Sequence, residues 1–352
     1  MGPVERGVVS ESAFLRACRS ESVDHVPVWF MRQAGRALPE YRALRSTGSI
    51  LEAIAQPDVA CEVTLQPVRR YGVDAAILFS DIVVPYHAIG FGIDIVPGRG
   101  PVVEDPFRHA RDLERLRELT EDDVAHVTAT VEKVVAALDP SVPLIGFAGA
   151  PFTVASYLVE GAPTREFGVI KTLMHADPDL FDRLCDRLVA ITVGFLRAQV
   201  AHGARAVQLF DSWAGSLTRD EYARFALEPT RRVLEGLADL DVPTIVFGVG
   251  TGELLDLMAQ SGASVVGVDW HVDLDRARAR VGDRAVQGNL DPARCLGATS
   301  LAVEGAREVL AKAGTAPGHV FNLGHGVLPS TDPSVLEAVV RVVHDEGKAG
   351  VR

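Results

Sequence analysis

The sequence predicts an α/β fold, a single (β/α)8 TIM barrel, and three observations carry that reading. Eight short runs rich in Val, Ile, Leu, Ala and Phe alternate with longer helical patterns. These runs are almost wholly apolar, lacking the alternation of a half-exposed strand, as a parallel sheet covered by helices requires. Polar residues or glycines begin almost every segment that follows a run, and barrel enzymes place their chemistry in those loops. The length of 352 residues would allow two domains, but barrels run this long as one. No repeat or low-complexity linker divides the chain, so residues 1–352 read as one catalytic domain with an ordered core over about 10–346.

In chain order, the first run is 26–30 (VPVWF), followed by RQAGR and a helix over 57–71. The second is 75–79 (AAILF), ending on Ser80-Asp81. Residues 83–121 exceed what one connection needs and read as an inserted loop or hairpin flanking a site, before a helix over 122–138. Run 143–147 leads through AGAPFT to Tyr157, and Asp177-Pro178 reads as an N-cap with a first-turn proline opening a helix over 177–202 that stops at Gly203. Run 206–210 ends on Asp211-Ser212-Trp213, before a helix over 219–239. Run 243–247 leads to Gly248–Gly250 and a helix over 252–261, which Gly262 ends. Run 265–268 precedes Asp269-Trp270-His271 and a helix over 273–280, and 285–287 precedes Gly288-Asn289-Leu290-Asp291 and a helix over 300–313. Run 319–322 gives way to Leu323-Gly324-His325-Gly326, and Asp332-Pro333 starts a closing helix over 332–346.

Composition narrows the function. The chain carries 35 basic and 47 acidic residues, a net charge of −12, which argues against a nucleic-acid surface. Four dispersed cysteines, without a CxxC pair, argue against a disulfide framework or a zinc site and fit a reducing cytoplasm. The opening MGPVERGVVSESAF lacks the basic-then-apolar pattern of a secretory signal, and no apolar run approaches a membrane span. A cytoplasmic location without membrane or nucleic-acid partners is therefore expected.

Against that negative background, PVWFMRQAGR at 27–36 stands out. Arg32 and Arg36 each offer a planar two-pronged donor that matches a carboxylate. Gly35, after Ala34, lets backbone come close to a ligand, and N–H groups opening a following helix would favour an anion. An anion-binding corner follows, although a structural ion-pair network would produce the same RxxxR. Asp81, Tyr157, Ser212 and His325 converge with the arginines if the runs form a barrel. Taken alone, Asp81 also suits a helix N-cap, Tyr157 a core aromatic and Ser212 a cap. His325 between two glycines is harder to place in a core, because its neighbours offer no packing.

Six segments together resemble the uroporphyrinogen decarboxylase family: PVWFMRQAGR, FSDI at 79–82, GFAGAPFT at 146–153, QLFDSWAG at 208–215, QGNLDP at 287–292 and FNLGHG at 321–326. They occur in the family's order and spacing from about residue 10 to about 346. The resemblance implies a cofactor-free and metal-free barrel, usually a homodimer, that removes CO2 from the four acetate side chains of uroporphyrinogen III to give coproporphyrinogen III in haem biosynthesis. It implies substrate contacts from Arg32, Gln33, Ala34, Gly35, Arg36, Asp81, Tyr157, Ser212 and His325. Catalytic roles fall on Asp81, Arg32, Tyr157 and His325, and Arg32 is the family's candidate acid, although an arginine with a pKa above about 12 is a poor proton donor.

The chemistry of such a substrate agrees. A pyrrole-acetate loses CO2 readily once the adjacent ring carbon is protonated, because the iminium-like cation accepts the released electron pair. The ring itself is then the electron sink. An anion beside the pyrrole N–H groups is what the protein must add, and Asp81 is the candidate. A related barrel class, the corrinoid and methionine-forming methyltransferases, binds zinc through a His-x-Cys pair, but no histidine here lies two residues before a cysteine and His271-Val272-Asp273 has aspartate there. A glycosidase needs two facing carboxylates, where only Asp81 stands in the matched set. A tetrapyrrole carrier would gain nothing from a carboxylate under a polyanion.

Overall fold

The computed structural model describes residues 12–45 and 48–348; the N-terminal stretch read above for a leader lies largely outside them. Seven strands form one curled parallel sheet in sequence order: β1 (Ala76–Ile77), then β4 (Leu144–Gly149), β5 (Ala206–Asp211), β6 (Thr244–Gly248), β7 (Val265–Gly267), β8 (Ala285–Gln287) and β9 (His319–Val320). Two further strands, β2 (Ile93–Val96) and β3 (Gly100–Val103), pair antiparallel as a separate hairpin. Helices alternate with the sheet strands, and among the described residues none is long and apolar enough to cross a membrane.

The expected first strand is the main departure. Segment 26–30 forms a single parallel bridge, Val28 to Phe321, rather than a ladder. Backbone partners satisfy much of it, but three N–H groups along 28–31 are taken by side chains. Val28 N–H donates to Asp74 Oδ2 at 2.7 Å, Phe30 N–H to Gln33 Oε1 at 3.0 Å and Met31 N–H to Asn322 Oδ1 at 3.1 Å. Each side-chain acceptor displaces a backbone partner that a continuous strand would have used. The segment still joins the two ends of the sheet, since Asp74 N–H donates to Val28 O at 2.8 Å and Phe321 N–H to Pro27 O at 2.8 Å. The runs at 75–79 and 319–322 likewise shorten to two residues each.

Helix bounds follow the local signals closely at Pro57–Tyr71, Pro178–Ala201, Thr299–Ala313 and Pro333–Glu346. Asp177 and Asp332 act as the expected N-caps, accepting from Leu180 N–H and Ser334 N–H at 3.0 and 2.8 Å. The helix expected over 219–239 is instead broken into Arg219–Glu221, a π-helical turn over Tyr222–Ala226, Leu227–Glu235 and a 3-10 turn at Ala238–Leu240. Pro229 has no N–H to donate and crowds the carbonyl one turn earlier, so the helix widens just before it.

Residues 83–121 contain a short helix at Val84–Ala88, the hairpin, and a 3-10 helix at Ala110–Arg115. Backbone bonds from Val103 N–H to Gly161 O and from Phe107 N–H to Leu158 O, both 2.8 Å, fasten this stretch to the end of helix Pro151–Glu160. Inside the sheet a polar thread crosses an otherwise apolar interior. Trp29 Nε1 donates to Gln287 Oε1 at 3.0 Å, and Gln287 Nε2 donates to Gln208 Oε1 at 2.9 Å. Such bonds offset the desolvation of buried amides and fix which strands face one another.

Candidate active site

A cavity of about 490 Å³ opens beside the C-terminal ends of the sheet strands, within the usual range for small-molecule pockets. Its first wall is the loop after the bridge segment. Arg32 adopts a left-handed backbone, φ +58°, that costs a non-glycine residue on the order of 1 kcal/mol. Gln33 holds the turn: fully buried, its amide oxygen accepts from Phe30 N–H and its Nε2 donates to Ala75 O at 3.1 Å. Gln33, grouped above with the substrate-binding residues, lines no part of the cavity, whereas Arg32, Ala34, Gly35 and Arg36 all do. Both arginines are exposed, and neither guanidinium makes a hydrogen bond or close ion pair with another described residue.

The last loop explains the arginine's placement. A Cβ on Gly326 would lie 2.5 Å from Arg32 Cδ, so the arginine's aliphatic stem rests where any side chain would stand. A Cβ on Gly324 would collide with Trp270 N. The two glycines around His325 therefore admit protein neighbours, and they leave the imidazole projecting between Trp270 and Phe247, at ring distances of 6.2 and 6.3 Å.

Asp81 stands just beyond the C-terminal end of the sheet's first strand. Phe79 N–H donates to Thr64 Oγ1 at 3.0 Å, which anchors the strand end to helix Pro57–Tyr71. Asp81 Oδ1 accepts from Val83 N–H at 3.1 Å. The carboxyl is partly open to the cavity but hemmed in by protein, and this desolvation raises its pKa against the opposing pull of Val83 N–H and of Arg32. Burial pushes Tyr157 up to about 12, leaving a neutral hydroxyl. It pushes His325 down to about 4, with the Arg32 charge acting the same way. His325 Nδ1 accepts from Gly326 N–H at 2.6 Å, so the neutral ring carries its proton on Nε2. The charge of Arg32 thus acts on Asp81, Tyr157 and His325 alike, and all four line the cavity with Ser212 and Arg36.

Several lining residues had no signal in the sequence beyond their place at strand ends. Phe147, Phe210 and Phe247 make successive edge contacts at 5.4 and 6.2 Å and give the cavity an apolar wall. Ile95, Gly100 and Pro101 bring the hairpin to its rim. Thr153, in helix Pro151–Glu160, fastens that helix to the end of β5, donating to Asp211 Oδ1 at 2.7 Å and accepting from Trp213 N–H at 3.1 Å, which sets Ser212 between them. Trp213 in turn meets the Tyr157 ring edge-on at 5.9 Å. Asp211 is fully buried, its Oδ2 lacks a partner among the described residues, and burial pushes its pKa up to about 6.

Known proteins resemble this chain along nearly its whole length. A family model described as Uroporphyrinogen decarboxylase (URO-D) matches residues 10–346. A protein of that name from Thermobifida fusca is 56% identical over 346 residues, covering 98% of this chain and 96% of that protein. Another, from Salinispora tropica, is 55% identical over 340 residues, 96% of this chain and 91% of that protein. Among solved structures, a methyltransferase from Methanosarcina mazei aligns with a TM-score of 0.77 over 94% of this chain and 97% of its own, but at 21% identity it shares the fold alone. With half its residues shared with these decarboxylases along nearly its full length, this chain belongs to the uroporphyrinogen decarboxylase family.

Proposed function

We propose that this chain decarboxylates uroporphyrinogen III to coproporphyrinogen III in the cavity described, without a cofactor. Family membership supports the reaction, and one observation of the site carries it: two arginines without carboxylate partners among the described residues share an apolar-walled cavity with a desolvated aspartate. Arg32 and Arg36 grip substrate carboxylates as bidentate donors. The neutral Nε2–H of His325 and the hydroxyls of Tyr157 and Ser212 supply further donors without adding charge. Ala34 and Gly35 leave room for close approach, and Gln33 acts from beneath by fixing the turn.

Each cycle protonates the ring α-carbon next to the one bearing the acetate, giving a cation shared between the acetate-bearing carbon and the pyrrole nitrogen. The bond to the carboxylate then breaks, CO2 leaves, and its electron pair forms an exocyclic double bond that quenches the cation. Protonation of that methylene and loss of the ring proton leave a methyl group, with one proton consumed overall. Asp81 accepts the pyrrole N–H and faces the cation. Its carboxylate is poorly solvated in the free enzyme, so the charge it prefers to meet appears only as the reaction proceeds. Arg32, beside Asp81, orients the acetate being lost and is the candidate acid that delivers the proton to the ring carbon.

The bridge segment at 26–30 would complete an eight-stave (β/α)8 barrel around the phenylalanine wall, as one domain, with the hairpin at 93–103 an insert after the second stave that flanks the cavity mouth. A homodimer acting in the cytoplasm completes the proposal. The direct test is anaerobic incubation of purified protein with reduced octacarboxylate porphyrinogen, without additions, followed by counting carboxylates in the oxidised products. Appearance of seven- to four-carboxylate species is expected, and recovery of unchanged octacarboxylate would refute the proposal.

A further inference from the structure

At the opposite end of the strands from the cavity, three residues far apart in sequence converge. Asp74 precedes β1, whereas Asp81 follows it; His25 precedes the bridge segment; His344 sits in the last turn of helix Pro333–Glu346. His25 Nε2 lies 2.8 Å from Asp74 Oδ1, His344 Nε2 lies 2.8 Å from Asp74 Oδ2, and the two imidazoles meet edge-on at 4.8 Å. One ligand atom from each of the three lies within 4.8 Å of the others.

We propose that His25, Asp74 and His344 form a binding site for a divalent transition-metal ion of the zinc type, which clamps the start of the chain's first stave to its last helix. Two imidazoles and a carboxylate are the donor set such ions select. Val28 N–H donates to Asp74 Oδ2 at 2.7 Å and holds the carboxylate in place, the supporting contact that metal-binding carboxylates need. The side chains are 32%, 15% and 31% exposed, so the cluster has both a path for the ion and room for a water as fourth ligand. On binding, each ring moves its proton from Nε2 to Nδ1, or releases one proton if it began as the cation. The ion would lie away from the catalytic cavity and take no part in decarboxylation.

Calorimetric titration of ZnCl2 into the chelator-treated, dialysed full chain tests this. One ion should bind with a dissociation constant of about 10 μM or tighter and raise the thermal midpoint by a few degrees. His25→Gln and His344→Gln place an amide N–H where each Nε2–H stood, preserving the bond to Asp74 while removing a good ligand. Each should weaken zinc binding at least about tenfold and abolish the thermal shift, with the metal-free midpoint and turnover little changed. A Co2+ titration gives a readout that needs no variant: weak visible bands from nitrogen and oxygen ligands are expected, without a thiolate charge-transfer band. The proposal is overturned by no binding tighter than about 100 μM, by equal binding in both variants, or by a thiolate band, which would assign the metal to a cysteine such as Cys61. Under any of these outcomes the cluster is a hydrogen-bonded clasp only. Turnover of porphyrinogen in the same samples reports separately on the proposed activity.

Discussion

Replacing Asp81 by asparagine separates electrostatic catalysis from binding. The amide keeps the shape of the carboxyl, retains an oxygen for Val83 N–H, which now donates to the carboxyl at 3.1 Å, and removes the charge. The walls contributed by Phe147, Phe210 and Phe247 keep the local dielectric well below that of water. At an effective dielectric near 20, a unit charge about 4 Å from a developing cation is worth on the order of 4 kcal/mol, or about a thousandfold in rate. Turnover should fall by about two to three orders of magnitude. Binding of the polyanionic substrate should be unchanged or tighter, because a repulsive carboxylate has gone. Burial raises the Asp81 pKa, so the folded state holds this proton more tightly than the unfolded chain does. Its stabilising contribution is complete below the ordinary carboxylate pKa and lost as pH rises through the raised value, so Asp81→Asn should be more stable than the parent at pH 7. Single-turnover kinetics, equilibrium binding and denaturant melts would read the three quantities. Turnover within a few-fold of the parent, together with collapsed binding, would make Asp81 an anchor and refute the electrostatic account.

Other perturbations test the surrounding parts. Arg36→Lys keeps the charge but not the fork, and should weaken substrate binding by roughly 1.5–3 kcal/mol, seen as a raised KM; an unchanged KM would remove Arg36 from carboxylate binding. Exhaustive chelation and dialysis should leave turnover intact, since the pyrrole is the electron sink and the proposed metal site lies elsewhere; a strict need for added metal or pyridoxal phosphate would sink the mechanism. Gly326→Ala would place a methyl 2.5 Å from Arg32 Cδ. Displacing that stem should lower kcat/KM by about tenfold or more at a stability cost of about 1–3 kcal/mol, and full activity would show that the Arg32 position is not critical. Asp211 has its pKa raised from 3.8 to about 6, so the proton it binds stabilises the fold at low pH and that contribution is lost as pH rises toward 6. Asp211→Asn, which still accepts from Thr153, should therefore gain stability over the parent by about 3 kcal/mol between pH 4 and pH 7 in denaturant titrations; a difference independent of pH would contradict the buried carboxyl's assigned state.

The amino-acid sequence by itself determined the alternation of strands and helices, because apolar runs and capping pairs such as Asp177-Pro178 act within a few residues. It also marked Arg32, Arg36, Asp81, Tyr157, Ser212 and His325, since each follows a run whose end faces the cavity, and all six line it. Contacts between distant segments were decided by tertiary structure alone. Nothing local in VPVWFM shows that Asp74 and Asn322 would take two of its backbone donors and leave one bridge in place of a strand. The glycines around His325 announced close approach, but only the fold shows that Trp270 and Arg32 are what approaches. The joining of His25, Asp74 and His344 is likewise invisible in sequence. Local propensity is written in neighbouring residues, whereas a side chain that satisfies a buried donor can come from far along the chain, 46 residues away for Asp74 and 291 for Asn322.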